Sequence, residues 1–279
     1  MNTVAAILDN MALRKKVLVT FDVIFDTAWR IGSGKEGETL SDLGVVLDPL
    51  GQPVLPGSSL KGRLRSTCEC LAHALNMTAC MLNQQATGVN CTSDVKYYHH
   101  VRESYRRSTE QGIQARLQWI ERHTCDVCML FGSPVMASRI QISDGVLQDW
   151  AEVVQIRDGV VIDRDSQTAV DGLKYDYEVV PPGSRFAVTI DLDNPSNKDL
   201  ALFGAALFEW AGGNVLGGFK SRGLGRFHLD NISVRGVDLS DPQQKIRFLT
   251  HTEPKDRLSD LGNWEEYFSQ RIHEVLSNS

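Results

Sequence analysis

PGSSLKGRLRSTCECLAHAL, residues 56–75, is the stretch on which the fold turns. Leu60, Leu64, Cys68, Leu71 and Leu75 recur every three or four residues, the spacing that puts side chains on one side of an α-helix. Ser58 or Ser59 ahead of that stripe is a plausible N-cap. The cations Lys61, Arg63 and Arg65 fall near the helix start, where exposed backbone N–H groups also favour an anion. The segment predicts an amphipathic helix with one buried face and a basic beginning.

Working outward, VLVTFDVIF (17–25) alternates apolar and β-branched residues and reads as a strand. Residues 29–57 are rich in Gly, Pro and Asp and read as a long functional loop with short extended pieces. Residues 76–124 are polar, with two cysteines and paired histidines, and read as an insertion that is helix-compatible around 101–122. After a CDVCMLFG turn, SRIQISDGVL reads as a strand. Residues 152–182 form two extended arms around a polar centre, hence a long β-hairpin. SRFAVTIDLD (184–193) alternates as a strand, residues 198–213 read as a helix stopped by Gly212-Gly213, and Arg226–Val234 is a closing strand. The tail, 237–279, is polar with a weakly helical end and is expected to dock on a partner. Strand, helix, insertion, strand, helix, strand suits a single ferredoxin-like α+β domain over 1–279, with its core in 17–75 and 125–236. The same sheet frames the RRM, whose open face binds RNA.

The chain has 279 residues, 42% hydrophobic and 23% charged, ordinary proportions for a globular protein. No run approaches the roughly 18 apolar residues that span a bilayer. Asp9 precedes the N-terminal basic cluster and no long apolar core follows it, so no secretory signal is expected. The expected compartment is the cytoplasm, where six cysteines point to metal ligation or burial and not to disulfides. A net charge of −6 disfavours a uniformly basic nucleic-acid binder. Its distribution is uneven, however. Residues 56–66 hold Lys61, Arg63 and Arg65 with no acid, and residues 214–228 hold Lys220, Arg222 and Arg226 with none. The carboxylates gather in 144–193 and from Asp238 onward.

GGFKSRGLGR (217–226) interleaves three cations with Gly217, Gly218, Ser221, Gly223 and Gly225. Small residues let a backbone approach a phosphodiester and the cations neutralise it. The alternative is a tight turn with solvated charges; the spacing is not that of a Walker A loop. Likewise the basic start of 56–65 is either a phosphate contact or an exposed helix face. Cys125-x2-Cys128 is half of a tetrahedral Zn²⁺ site. Cys80, Cys91, His99, His100 and His123 are available to complete it, and buried free thiols are the alternative. Cys68 and Cys70 read as core residues.

PGSSLKG…R, CxxCxLFGSP and the late GGxKSRGxGR, in that order over about 17–234, resemble the RAMP superfamily. The likeness is in particular to the backbone subunits repeated along the crRNA in type III CRISPR effector complexes, III-A/III-D-like. The resemblance implies an RRM-like palm with a thumb hairpin, at 152–182, that wedges into the guide–target duplex and displaces a base. It implies RNA contacts from Ser58, Ser59, Lys61, Arg63, Arg65, Arg139, Arg157, Lys220, Ser221, Arg222 and Arg226. In target-cutting members an aspartate lies upstream of a D-P pair in the loop before PGSSLKG. Asp48-Pro49 matches the pair and Asp42 the aspartate, at a spacing one residue longer than the pattern. Asp42 is then the catalytic residue, or else a loop residue capping a turn. As a catalyst it would take the 2′-hydroxyl proton or hold Mg²⁺ or another divalent metal, leaving 5′-hydroxyl and cyclic-phosphate ends. Asp26, Glu36 and Glu38 are candidate supporting carboxylates, with solvated loop charges as the alternative. The resemblance also implies a structural zinc on Cys91, Cys125 and Cys128 with one of Cys80, His100 or His123, Cys80 being the choice. Implied partners are crRNA, target RNA and other CRISPR effector subunits, including neighbouring RAMP subunits, and no membrane. Two further readings are a non-catalytic crRNA-binding subunit and a crRNA-processing nuclease. The second usually needs a histidine base, which the 29–48 loop lacks.

Overall fold

The computed structural model describes residues 12–32, 42–80, 91, 99, 118–134 and 136–278. Most of the 76–124 insertion, with His100, and the carboxylates Glu36 and Glu38 lie outside the described residues. The elements in chain order are β1 (Lys15–Phe25), α1 (Gly57–Leu71) with a 3-10 turn (Ala72–Leu75), α2 (Asp126–Phe131), β2 (Ile140–Ile142) and β3 (Val146–Asp149). There follow β4 (Gln155–Ile162), β5 (Ala169–Val179), β6 (Arg185–Asp193), α3 (Asn197–Ala211), β7 (Asn214–Val215) and a 3-10 turn (Lys220–Arg222). The chain closes with β8 (Arg226–Asp238), α4 (Pro242–Thr250), α5 (Pro254–Arg257), β9 (Ser259–Asp260) and α6 (Trp264–Ser277).

The fold is mixed α/β with antiparallel sheets. The main sheet runs β2-β6-β1-β8-β7, with β3 on the same edge of β6 as β2 and β9 against β8. The chain leaves β1, crosses through α1 and returns as β2 with β6 between them, a split β-α-β compatible with a ferredoxin-like frame. Period-two alternation sorts the faces. Val17, Val19, Phe21, Val23 and Phe25 of β1, with Phe186, Val188, Ile190 and Leu192 of β6, are buried beneath α1 and α3. Each such large apolar side chain contributes about 1.5–3 kcal/mol. The two helices are pinned where Trp210 Nε1 donates to Thr67 Oγ1 at 3.1 Å. A capping box of Ser196 and Asp199 starts α3.

The opposite face is acid-rich. Asp191 and Asp193 hold Lys16 at 2.8 and 2.9 Å, and Asp230 holds Arg185 at 3.3 Å. One end of that face is roofed by α4 and α5 through a small core of Leu18, Val237, Phe248 and Leu258. No helix among the described residues is long and apolar enough to cross a membrane.

Hairpin β4–β5 is a separate two-stranded sheet, with Asp158 opposite Asp176 and Gly159 opposite Tyr175. Ile156, Val160, Ile162 and Leu173 on it are exposed. The helical end expected of the tail is α6, which lies on α3 of the same chain. Phe268 is fully buried, its ring meets Phe203 edge-on at 5.5 Å, and a Cβ at Gly204 would stand 2.6 Å from Phe268. Trp264, Phe268, Ile272 and Val275 make a helical stripe that the polar average of the tail conceals.

Candidate nucleic-acid interface and metal centre

The first two turns of α1 and the glycine-rich loop meet across a cleft of about 350 Å³. It is lined by Ser58, Ser59, Gly62, Arg63 and Ser66 on one side and by Gly217, Gly218 and Lys220 on the other. The helix N-cap is Pro56, with extended backbone, no capping side chain and no acid in the first turn. Ser58 and Ser59 are therefore helical residues turned to the cleft and not caps. The Gly57 N–H is taken by Asp144 at 2.6 Å. Opposite, the loop folds onto residues 28–31: Gly218 N–H donates to Arg30 O at 2.9 Å and Gly225 N–H to Ala28 O at 2.8 Å. Gly217 (φ +93°) and Gly225 (φ +80°) make this possible, since a Cβ would stand 2.2 Å from Arg30 O and 1.9 Å from Leu216 O. The loop glycines thus serve its own close packing and leave Lys220, Ser221 and Arg222 exposed at the rim.

Helical geometry divides the basic start of α1. Arg63 lines the cleft and is steadied by Asn214 Oδ1 at 3.0 Å from its Nε. Lys61 and Arg65, one turn apart, point elsewhere. Lys61 Nζ donates to Ser138 Oγ at 2.9 Å, and burial, with Arg65 nearby, lowers its pKa. Arg65 donates to Glu69 and, at 3.1 Å, to Cys128 Sγ. Arg139 pairs with the buried Asp199 at 2.6 Å and braces the start of α3. Arg157 is exposed on β4 across from Tyr177. Arg226 is exposed at the start of β8, beside Gly213.

Asp42 is exposed and its Oδ2 accepts the Asp176 N–H at 2.9 Å. Leu43 continues the contact by bridging to Tyr177, so the aspartate loop is laid along the root of the hairpin. Asp158, hydrogen-bonded to Asp176, and the charge of Asp42 raise the Asp176 pKa. Asp26 is engaged differently, accepting from His228 Nδ1 at 2.8 Å if that nitrogen carries the proton. One residue was not singled out in the sequence. Arg30 is 8% exposed, donates to Gly44 O at 3.2 Å and lies 5.2 Å from the ring centre of Phe219. Arg222 meets the same ring at 4.9 Å, and Tyr177 packs on it edge-on at 4.8 Å. A lone arginine between a strand and a glycine-rich loop carries no sequence signal of such a junction.

The sulfur atoms of Cys80, Cys91, Cys125 and Cys128 lie within 4.8 Å of one another. Hydrogen bonds from Cys125 and Cys128 favour the Cys91 thiolate and pull its pKa down to about 4. Four cysteines from two chain segments are a donor set that suits a tetrahedral soft-ligand metal, and the Arg65 guanidinium offsets part of the charge that four thiolates would bring. His123 stacks on Trp119, with its Nδ1 2.8 Å from Trp119 O, and is not among the clustered ligands. Cys68 is buried, which pushes its thiol up, whereas Cys70, expected in the core, is exposed.

Comparison with known proteins bears on the cleft and its loops together. The chain is similar to the CRISPR system Cms endoribonuclease Csm3 of Methanocaldococcus jannaschii, 26% identical over 248 residues, covering 81% of this chain and 84% of that protein. It is also similar to the protein of the same description from Methanothermobacter thermautotrophicus, 24% identical over 236 residues, covering 81% and 88%. The model of the RAMP superfamily matches residues 23–228, which run from β1 through the cleft loops to β8. This chain belongs to the RAMP superfamily.

Proposed function

We propose that this chain is a backbone subunit of a type III CRISPR ribonucleoprotein that binds crRNA and cuts the paired target RNA. The observation that carries the reading is the convergence of α1 and the glycine-rich loop, with Ser58, Ser59, Arg63 and Lys220 lining one cleft. Cations and serine hydroxyls flanking a helix N-terminus are the groups that hold a phosphodiester chain. Ser221, Arg222 and Arg226 extend the track along the rim, and Arg157 continues it on the hairpin. Lys61, Arg65 and Arg139 are assigned a supporting part, bracing the elements that carry the cleft. The acidic remainder of the surface faces other CRISPR subunits and neighbouring RAMP copies, in the cytoplasm, which reconciles a net charge of −6 with RNA binding.

Hairpin β4–β5 serves as the thumb, its exposed Ile156, Val160 and Leu173 entering the guide–target duplex to displace a base. Asp42, held at the hairpin root by the Asp176 N–H, then faces the splayed nucleotide. It takes the 2′-hydroxyl proton or orients a divalent cation, for which clustered carboxylate oxygens are suitable donors. Such a cation would supply charge stabilisation at the scissile phosphate. A structural Zn²⁺ on Cys80, Cys91, Cys125 and Cys128 would fasten the insertion to α2.

The deciding experiment is Asp42→Ala in an assembled complex. Target RNA is expected to bind as before while the regularly spaced cuts attributable to this subunit disappear. Unchanged fragment lengths would leave a non-catalytic crRNA-binding subunit in which Asp42 caps the loop on β5. The purified chain alone is expected to leave repeat RNA uncut.

A further inference from the structure

Two loops act on one RNA chain in the proposed function, and a single side chain touches both. Arg30 NH2 donates to Gly44 O, two residues from Asp42, at 3.2 Å, while the Arg30 carbonyl accepts the Gly218 N–H of the glycine-rich loop at 2.9 Å. The guanidinium also stacks on Phe219, which sits in the left-handed region at φ +54°. A Cβ built on Gly32 would lie 3.6 Å from Arg30 NH2, and one on Gly218 3.6 Å from NH1. Both glycines line the cleft, so the cation sits directly beneath its floor.

Burial makes the arrangement costly. Arg30 is 8% exposed, its Nε has no hydrogen-bond partner among the described residues, and desolvation lowers its pKa against the pull of Glu178. Arginine stays charged even so. A buried cation with a donor left over costs stability, and an anion across the glycine floor would offset that cost. The same carboxylate, Glu178, accepts the Val45 N–H at 3.0 Å, so the aspartate loop is held from the hairpin side as well.

We infer that Arg30 is a positioning residue that couples a phosphate chain seated in the cleft to the placement of Asp42. The inference rests on the reading of the cleft and of Asp42 given above. A phosphate above Gly218 draws the guanidinium upward, and its bond to Gly44 O carries that pull into the aspartate loop. Phe219, shared with Arg222, holds the guanidinium plane in register.

The test uses the assembled complex with Arg30→Gln, Arg30→Lys and Phe219→Leu. Target affinity, single-turnover cutting and amide hydrogen exchange at Leu43–Val46 are measured with and without RNA. For Arg30→Gln, affinity is expected to stay within about fivefold of the wild type, the scale of one hydrogen bond. Cutting is expected to fall on the order of 10²-fold, the scale of a catalytic group misplaced by about 1 Å. Exchange at Leu43–Val46 should be slowed by RNA in the wild type and not in Arg30→Gln, and Arg30→Lys should recover part of the rate. Phe219→Leu keeps the charge but loosens its seat, and its cutting should fall much further than its affinity. Wild-type cutting in Arg30→Gln would overturn the inference. So would equal losses of affinity and cutting in both Arg30 variants, which would make Arg30 a simple phosphate ligand. If Arg30→Gln fails to assemble, wild-type cutting in Phe219→Leu would overturn it as well. If Asp42→Ala still cuts, the catalytic reading falls by itself. The RNA-dependent exchange of Leu43–Val46 then still decides the coupling.

Discussion

Gly225 and Gly223 stand two residues apart in the same left-handed region, yet a methyl group should affect them differently. At Gly223 (φ +87°) a Cβ would have nothing within 4 Å, so Gly223→Ala meets only the backbone penalty of about 1–2 kcal/mol. At Gly225 it would strike Leu216 O at 1.9 Å, a backbone atom that cannot turn aside. Gly225→Ala is expected to rebuild the loop, lowering the melting temperature well beyond the Gly223→Ala shift and weakening RNA binding with it. Thermal denaturation and a filter-binding titration check the pair. Arg139 makes a similar point about charge. Its partner Asp199 is only 3% exposed, so Arg139→Ala leaves a buried carboxylate with Ser196 alone. The expected cost is about 3 kcal/mol in chemical denaturation. The salt dependence of RNA binding should keep its slope.

Helix α1 shows how far a sequence motif reaches and where it stops. Its existence, its buried stripe of Leu60, Leu64 and Cys68, and its basic start were all legible from spacing. Which cation faces the cleft was not, because the motif treats Lys61, Arg63 and Arg65 alike while the helix sends them to different sides. Ser59, Arg63 and Ser66 share one face by steps of three and four, and Lys61 with Arg65 share another. Lys220→Ala should therefore reduce the salt slope of RNA binding by about one phosphate contact, whereas Lys61→Ala should leave the slope unchanged. Strands β1, β6 and β8 were legible because each alternates cleanly. The laying of the 42–47 loop along the hairpin root was not, since it depends on hydrogen bonds between residues more than 130 positions apart in sequence. The burial of Arg30 was invisible for the same reason.

Across the whole molecule, the four-cysteine centre joins the 76–124 insertion, through Cys80 and Cys91, to α2 at one point. Zinc analysis of the purified protein is expected to return about one metal per chain, because four thiolate ligands saturate a tetrahedral ion. Cys91→Ser should lower that content together with the melting temperature, and removal by a chelator should reproduce the melting shift without any mutation. At the other end, α6 lies across α3 with Phe268 sealed between them. Trimming the gene just beyond β8, near the end of the span that the family model matches, would therefore uncover Phe203 and the groove at Gly204 to water. The shortened product should be sticky and poorly expressed, an outcome easily mistaken for a need for companion subunits.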